Sequence, residues 1–172
     1  MKQAWLAVVA ATGVLCGSAV FADQGKDQPK EKLFLMKAAQ SQQGEIELGK
    51  MAKERAASDQ VKQFGQRMIE DHTKANQQVT QLAKQEGVEL PEGMTAMQKE
   101  KAQKFSQLSG KEFDKAYIRY MTKDHRQDVI EFEQSAKEIK DQDVQQWAQQ
   151  TLPKLKEHLE IAKTIGATLG VE

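Results

Sequence analysis

The chain has 172 residues, with 25 basic and 25 acidic side chains and a single cysteine. This length suits one domain with one packed core. Because no basic surplus exists to neutralise phosphates, the charge balance argues against nucleic acid as a partner.

Residues 1–22, MKQAWLAVVAATGVLCGSAVFA, have the order typical of a secretory signal peptide: Lys2, an apolar run, then small residues up to Ala22. Removing these 22 residues from 172 leaves 150, and the loss of Lys2 leaves 24 basic against 25 acidic side chains, a net charge of −1. We therefore expect a periplasmic or secreted protein. No second apolar run approaches the ~20 residues that span a bilayer, so we expect no stable membrane insertion after cleavage.

The single cysteine, Cys16, lies inside this predicted signal peptide. Lipoprotein attachment at Cys16 is disfavoured, because Leu15 is bulky where such a site needs a small residue. The mature chain would then have no cysteine, which excludes disulfides, thiolate zinc sites and thiol catalysis.

Helices are predicted for nearly all of the remaining chain. Residues 23–30 are polar, contain Gly25 and Pro29, and predict a flexible leader. Over residues 31–170 apolar side chains recur every three or four positions, as in amphipathic helices, and Ser58 and Asp59 are good N-cap residues. The predicted long helices cover residues 31–57, 58–86, 111–140 and 141–169, and a short one covers 94–108.

The order of these helices predicts the fold class. The short helix lies in the connector between the second and third long helices, where it could cap the others or run along them. Pro153 is predicted to bend the fourth long helix. Four long antiparallel helices with one long connection predict an all-α four-helix bundle.

Polar residues interrupt the apolar stripe of each long helix near its middle. Each one lies within about three residues of its helix midpoint, which at ~1.5 Å per residue defines one layer no more than ~5 Å thick. Imidazole nitrogens and a carboxylate are recognised transition-metal ligands in helical bundles. The predicted metal ligands are Glu45, His72, His125 and His158.

Neighbouring residues suggest how such a site could be supported. Asp71 and Asp124 cannot accept a hydrogen bond from the histidine that follows each of them, because adjacent helical side chains point ~100° apart. Each would have to serve a different helix. Met68 and Met121 lie one turn before two of the histidines, so a softer Met/His set suited to copper is also possible. Further carboxylates near the layer are Glu47, Asp128 and Glu133.

The same polar layer has a purely structural interpretation. A buried network of His, Asp, Glu and Tyr can fix the register of packed helices without any ligand. The sequence leaves both interpretations open.

Several motifs together resemble one protein family. They are Glu45-x-Glu47-Leu48-Gly49, Asp71-His72, Phe113-Asp114-x-x-Tyr117 and Leu152-Pro153-x-Leu155-x-x-His158-Leu159. Over about residues 33–169 the chain resembles the exported bacterial proteins grouped as DUF4142, a domain of unknown function placed among the ferritin-like bundles. The resemblance implies the ferritin-like bundle fold and export, and it supplies no reaction.

The chain departs from the di-iron members of the ferritin-like class. Those proteins carry a Glu-x-x-His pair on two helices, whereas Ile69 stands three residues before His72 and Leu155 three before His158. A carboxylate-bridged di-iron centre is therefore not expected, and a single histidine-rich metal site remains the hypothesis.

Two functional hypotheses follow from the sequence. In the first, the protein is a monomer or weak oligomer that binds one zinc, iron or copper ion for sequestration or simple redox work. In the second, it is a non-enzymatic envelope protein for stress protection or partner binding, and its histidine layer is structural. Catalysis would further require an open ligand position on the metal.

Overall fold

A computed structural model of the chain describes residues 29–171. The predicted signal peptide and nearly all of the predicted leader lie outside the described residues. Within 29–171 the chain is all-helical and has no strand, which confirms the predicted all-α class. The five helices are α1 (Lys30–Arg55), α2 (Asp59–Gln85), α3 (Ala96–Ser106), α4 (Gly110–Glu138) and α5 (Gln142–Leu169).

Local capping explains where several helices begin and end. At the start of α3 the Thr95 hydroxyl accepts from the Gln98 backbone N–H, and the Gln98 side chain accepts from the Thr95 N–H, which forms a capping box. At the start of α5 the Asp141 carboxylate accepts from the backbone N–H groups of Asp143 and Val144. Gly170 ends α5 in the left-handed conformation, with φ of 65°. The predicted element ends are therefore correct to within a few residues.

The start of α2 is held by a residue from another helix. Ser58 occupies the N-cap position as predicted, but its side chain makes no capping bond. Instead the Asp114 carboxylate of α4 accepts from the backbone N–H groups of Ala57, at 3.1 Å, and Ser58, at 3.0 Å. The turn between α1 and α2 and the start of α4 thus lie together at one end of the molecule.

The four long helices pack as two antiparallel pairs. α1 packs along α2 and α4 packs along α5, while α1–α4 and α2–α5 contacts join the pairs. Both α2 and α4 begin at the end of the molecule where α1 finishes, so these two helices run in the same direction. The connector between α2 and α4 therefore returns along the length of the molecule. Within that connector α3 packs against α1 and α4, so it runs along their side and does not cap their ends.

Helices α1 and α2 approach each other closely where Gly49 of α1 meets Gly65 of α2. A Cβ atom on Gly65 would lie 2.7 Å from the Ala52 Cβ and 2.8 Å from the Gly49 carbonyl oxygen. Both distances are shorter than atoms tolerate, so this crossing requires glycine at position 65.

A polar layer divides the core. In every long helix, residues of one apolar cluster precede the layer and residues of the other follow it. The layer itself consists of buried polar side chains: Gln42, Glu45, His72, His125 and His158. The predicted layer therefore sits between two apolar halves of the core.

Among residues 29–171, no helix combines the length and the apolar character needed to cross a membrane.

Candidate metal centre

Three imidazoles from three helices meet at the centre of the polar layer. The ring centroids are 5.6 Å apart for His72 and His125, 5.2 Å for His72 and His158, and 5.3 Å for His125 and His158. One nitrogen of each ring lies within 4.8 Å of the other two. None of the three residues is more than 2% exposed. Helical periodicity placed each histidine on an inward face, and the packing of α2, α4 and α5 brings them together.

Each ring is oriented by a hydrogen bond from one of its two nitrogens. His72 Nδ1 donates to Gln42 Oε1 at 2.6 Å, and His158 Nε2 donates to Asp71 Oδ2 at 2.9 Å. His125 Nδ1 donates to the Met121 carbonyl oxygen at 3.1 Å. Since each of these oxygens can only accept, the hydrogen bonds assign the proton to the bonded nitrogen and leave a lone pair on the other.

The other nitrogen of each ring has no hydrogen-bond partner. His72 Nε2, His125 Nε2 and His158 Nδ1 are buried and have no hydrogen-bond partner within residues 29–171. A neutral imidazole held by one nitrogen and free at the other is the form that metal-binding histidines adopt. The cluster could therefore hold a metal ion.

Burial keeps these rings neutral. It lowers the pKa of His72 and of His158 to about 4, and it lowers the pKa of His125 well below its usual value, with the neighbouring rings adding to the effect. At neutral pH no proton competes for the free nitrogens, so the histidines need not lose a proton to bind metal.

Glu45 lies beside the triad formed by His72, His125 and His158 and not inside it. Its Oε1 is 3.6 Å from His125 Nε2, and its Oε2 is 2.9 Å from His72 Nδ1, although the His72 N–H points to Gln42. Both carboxylate oxygens are buried without a hydrogen-bond partner in the described part of the chain. Burial, and then the charge of Asp124, raises the pKa of Glu45 well above its usual value. The predicted fourth ligand is therefore close to the site, on the side of His125.

Asp71 supports the triad from the surface of α2. Burial opposes its ionisation, but the hydrogen bond from His158 and the charges of Lys154 and Arg67 lower its pKa overall. Lys154 Nζ lies 3.8 Å from the Asp71 carboxylate. The prediction that this aspartate serves a histidine on another helix matches the observed geometry.

Other predicted neighbours lie elsewhere. Glu133 pairs with Lys156 and Glu47 with Lys50, in ion pairs whose side chains are well exposed. The Met68 and Met121 side chains belong to an apolar cluster, and Met121 reaches the site through its backbone carbonyl. Asp128, in contrast, lies next to Glu45 and His125.

Sequence reasoning missed Gln42. The predicted stripe of the first helix passed through Ser41, which is half-buried, whereas Gln42 is buried and binds His72. Its position one turn before Glu45 was the available signal. Glutamine is neither a strong metal ligand nor apolar, so the pattern did not select it.

The fold and the site define an all-helical protein with a buried histidine and carboxylate cluster that could hold a metal. The sequence model of the family described as Domain of unknown function (DUF4142) matches residues 17–165, and the chain belongs to that family. No curated protein and no solved structure matches the chain significantly.

Proposed function

We propose that this protein is an exported, ferritin-like four-helix bundle that binds one transition metal ion through His72, His125 and His158, with Glu45 as the adjacent oxygen ligand. The observation that carries the metal proposal is the convergence of three buried imidazoles, each with one unpartnered nitrogen and each with a nitrogen within 4.8 Å of the other two.

The bundle proposal rests on the order and direction of the long helices. Each long helix has two antiparallel neighbours, and one long connection, which contains α3, links the two pairs. A bundle with a single long crossover is the ferritin-like arrangement. Export to the periplasm or beyond is supported by the sequence of residues 1–22.

Energetics favour a ligand over an unfilled polar layer. Leaving one buried polar atom unpaired costs about 1–3 kcal/mol, and the cluster contains three such nitrogens and two such oxygens. A purely structural network normally satisfies its own members. A cation at the centre would accept all three nitrogen lone pairs and would favour the ionised form of Glu45, against the effect of burial.

The donor set suits zinc, iron or copper. Imidazole is a good ligand for all three ions, and structural and catalytic zinc sites are commonly built from it. Zinc would make this a sequestering protein, whereas iron or copper would add simple redox chemistry. Because no Glu-x-x-His pair is present at His72 or His158, the proposal is a single-ion site.

The second candidate is a non-enzymatic envelope protein for stress protection or partner binding, in which the layer only fixes helix register. The observation in its favour is that hydrogen bonds already link His72 to α1 and His158 to α2. This candidate predicts that His72→Leu is neutral or stabilising, with no effect of metal on stability.

The first experiment is to purify the mature protein, residues 23–172, from its native compartment without chelators or a histidine tag, and to measure bound metals by elemental mass spectrometry. We expect about one equivalent of one metal per chain, lost in His72→Ala and kept in Gln77→Ala, an exposed control on the same helix. Less than about a tenth of an equivalent, with no rise in melting temperature on adding zinc, iron or copper, would refute the metal proposal.

A further inference from the structure

A second group of donors overlaps the histidine triad. Glu45, His125 and Asp128 offer three ligand atoms that all lie within 4.8 Å of one another. His125 and Asp128 are three residues apart on one face of α4, and Glu45 faces them from α1. This group is therefore formed by two neighbouring helices, whereas the triad spans α2, α4 and α5.

The carboxyl groups of the second group lie close to each other. Both Glu45 oxygens are buried, and Asp128 brings a second carboxyl group within hydrogen-bond reach of them. Two carboxyl groups this close share a proton more readily than they carry two negative charges. A divalent cation can take the place of that proton.

The two groups share one ligand atom. His125 Nδ1 is engaged by the Met121 carbonyl, so Nε2 is the nitrogen that His125 can offer to either group. One lone pair binds one ion, and the two positions therefore exclude each other. An ion at the centre of the triad must leave it to occupy the carboxylate position.

Space is available on the carboxylate side. Of the three donors, Glu45 alone lines a cavity of about 60 Å³ between α1, α3 and α4, which Asp124, Tyr120 and Lys101 also line. A water molecule needs roughly 10–15 Å³, so this cavity accommodates several. Hard cations bound by carboxylates commonly keep water ligands, and an ion bound to Glu45 could take them from this cavity.

We propose that the cluster offers two alternative cation positions that share His125: a nitrogen-rich position at the triad for zinc or copper, and an oxygen-rich position at Glu45, His125 and Asp128 for a harder divalent ion such as manganese. The inference rests on the proposed metal-binding function. It follows from donor chemistry, because imidazole favours the softer ions and carboxylate with water favours the harder ones.

The test measures zinc and manganese separately on the mature protein, by calorimetry and by the electron paramagnetic resonance signal of manganese. Asp128→Asn should weaken manganese binding at least about tenfold and change zinc binding less than about threefold, whereas His158→Gln should do the reverse. His125→Gln should weaken both, and Glu133→Gln, an exposed carboxylate change on the same helix, should weaken neither. Zinc should displace manganese one for one.

The outcomes separate this inference from the proposed function. A wild-type protein that binds none of zinc, iron and copper contradicts the proposed function, while manganese binding that is lost in Asp128→Asn still supports the oxygen-rich position. The inference is overturned if wild-type protein binds no manganese, if His158→Gln removes both ions and Asp128→Asn neither, or if one chain binds both ions together. Unchanged circular dichroism in each variant ensures that the losses report on binding.

Discussion

The hydrogen bond between Asp71 and His158 should control metal affinity although Asp71 is not a ligand. The Asp71 carboxylate accepts from His158 Nε2 at 2.9 Å. This hydrogen bond keeps the proton on Nε2 and leaves the lone pair on Nδ1. In Asp71→Asn the amide can donate to Nε2 instead. The proton then moves to Nδ1, and the ring can no longer bind metal with that nitrogen.

The expected magnitude follows from the role of such supporting hydrogen bonds. Their loss typically weakens metal binding about 10–100-fold, or about 1.4–2.7 kcal/mol. At a metal concentration ~1,000 times the wild-type Kd, binding stabilises the wild type by about 4 kcal/mol, and a 100-fold weaker site retains about 1.4 kcal/mol. For a domain of this size the metal-induced rise in Tm should therefore fall from about 8–16 °C to about 3–6 °C.

The assay is the difference in Tm with and without metal, which cancels any effect of the substitution on the metal-free protein. Glu157→Gln is the matched control, because Glu157 pairs with Arg67 and Lys154 beside Asp71 and makes no hydrogen bond to His158. Nitrogen-15 NMR of His158 should show protonated Nε2 in the wild type and a shift towards protonated Nδ1 in Asp71→Asn. The reasoning would be refuted if metal raised the Tm of wild type and Asp71→Asn equally, or if Glu157→Gln reduced this rise as much as Asp71→Asn does.

Three further predictions concern stability. Gly65→Ala should lower the free energy of unfolding in urea by about 1–3 kcal/mol because its Cβ would meet the Ala52 side chain and the Gly49 carbonyl oxygen of α1. Gly44→Ala should cost less, at most about 1 kcal/mol, because its Cβ meets only the Gln98 side chain, whose displacement would weaken the α3 cap. Equal effects would contradict the close approach. Asp114→Ala should cost about 2–3 kcal/mol in the same assay by unpairing two N–H groups at the α1–α2 turn, and a loss below about 0.5 kcal/mol would be inconsistent with that role. Because His158 has a pKa of about 4 when folded and 6.5 when unfolded, the unfolded state binds more protons between these values, and His158 should contribute up to ~3 kcal/mol to the loss of metal-free stability as pH drops from 6.5 to 4. Burial also lowers the pKa of His72 and His125, so His158→Gln should reduce the fall in pH-dependent unfolding without abolishing it, and an unchanged slope would show that His158 does not contribute.

The sequence alone was sufficient to predict the helices and the height of the polar layer. A helix repeats every 3.6 residues and rises a constant distance per residue, so the inward face and the level of His72, His125 and His158 can be counted without coordinates. The same counting showed that Asp71 had to serve another helix. These features depend on local geometry, which a single chain segment carries.

Only the tertiary structure decided which groups meet. Gln42 and the Met121 carbonyl orient two of the rings, Asp114 caps a helix far from it in sequence, and Glu45 lies towards Asp128 and outside the triad. Each of these contacts depends on how far neighbouring helices rotate about their axes and which rotamers the packing allows. Periodicity does not determine the rotation of a helix about its own axis to better than a few tens of degrees. A rotation of that size in α1 replaces Ser41 with Gln42 in the core. The level of the polar layer was therefore predictable from the sequence, while the contacts within it came from the packing of four helices.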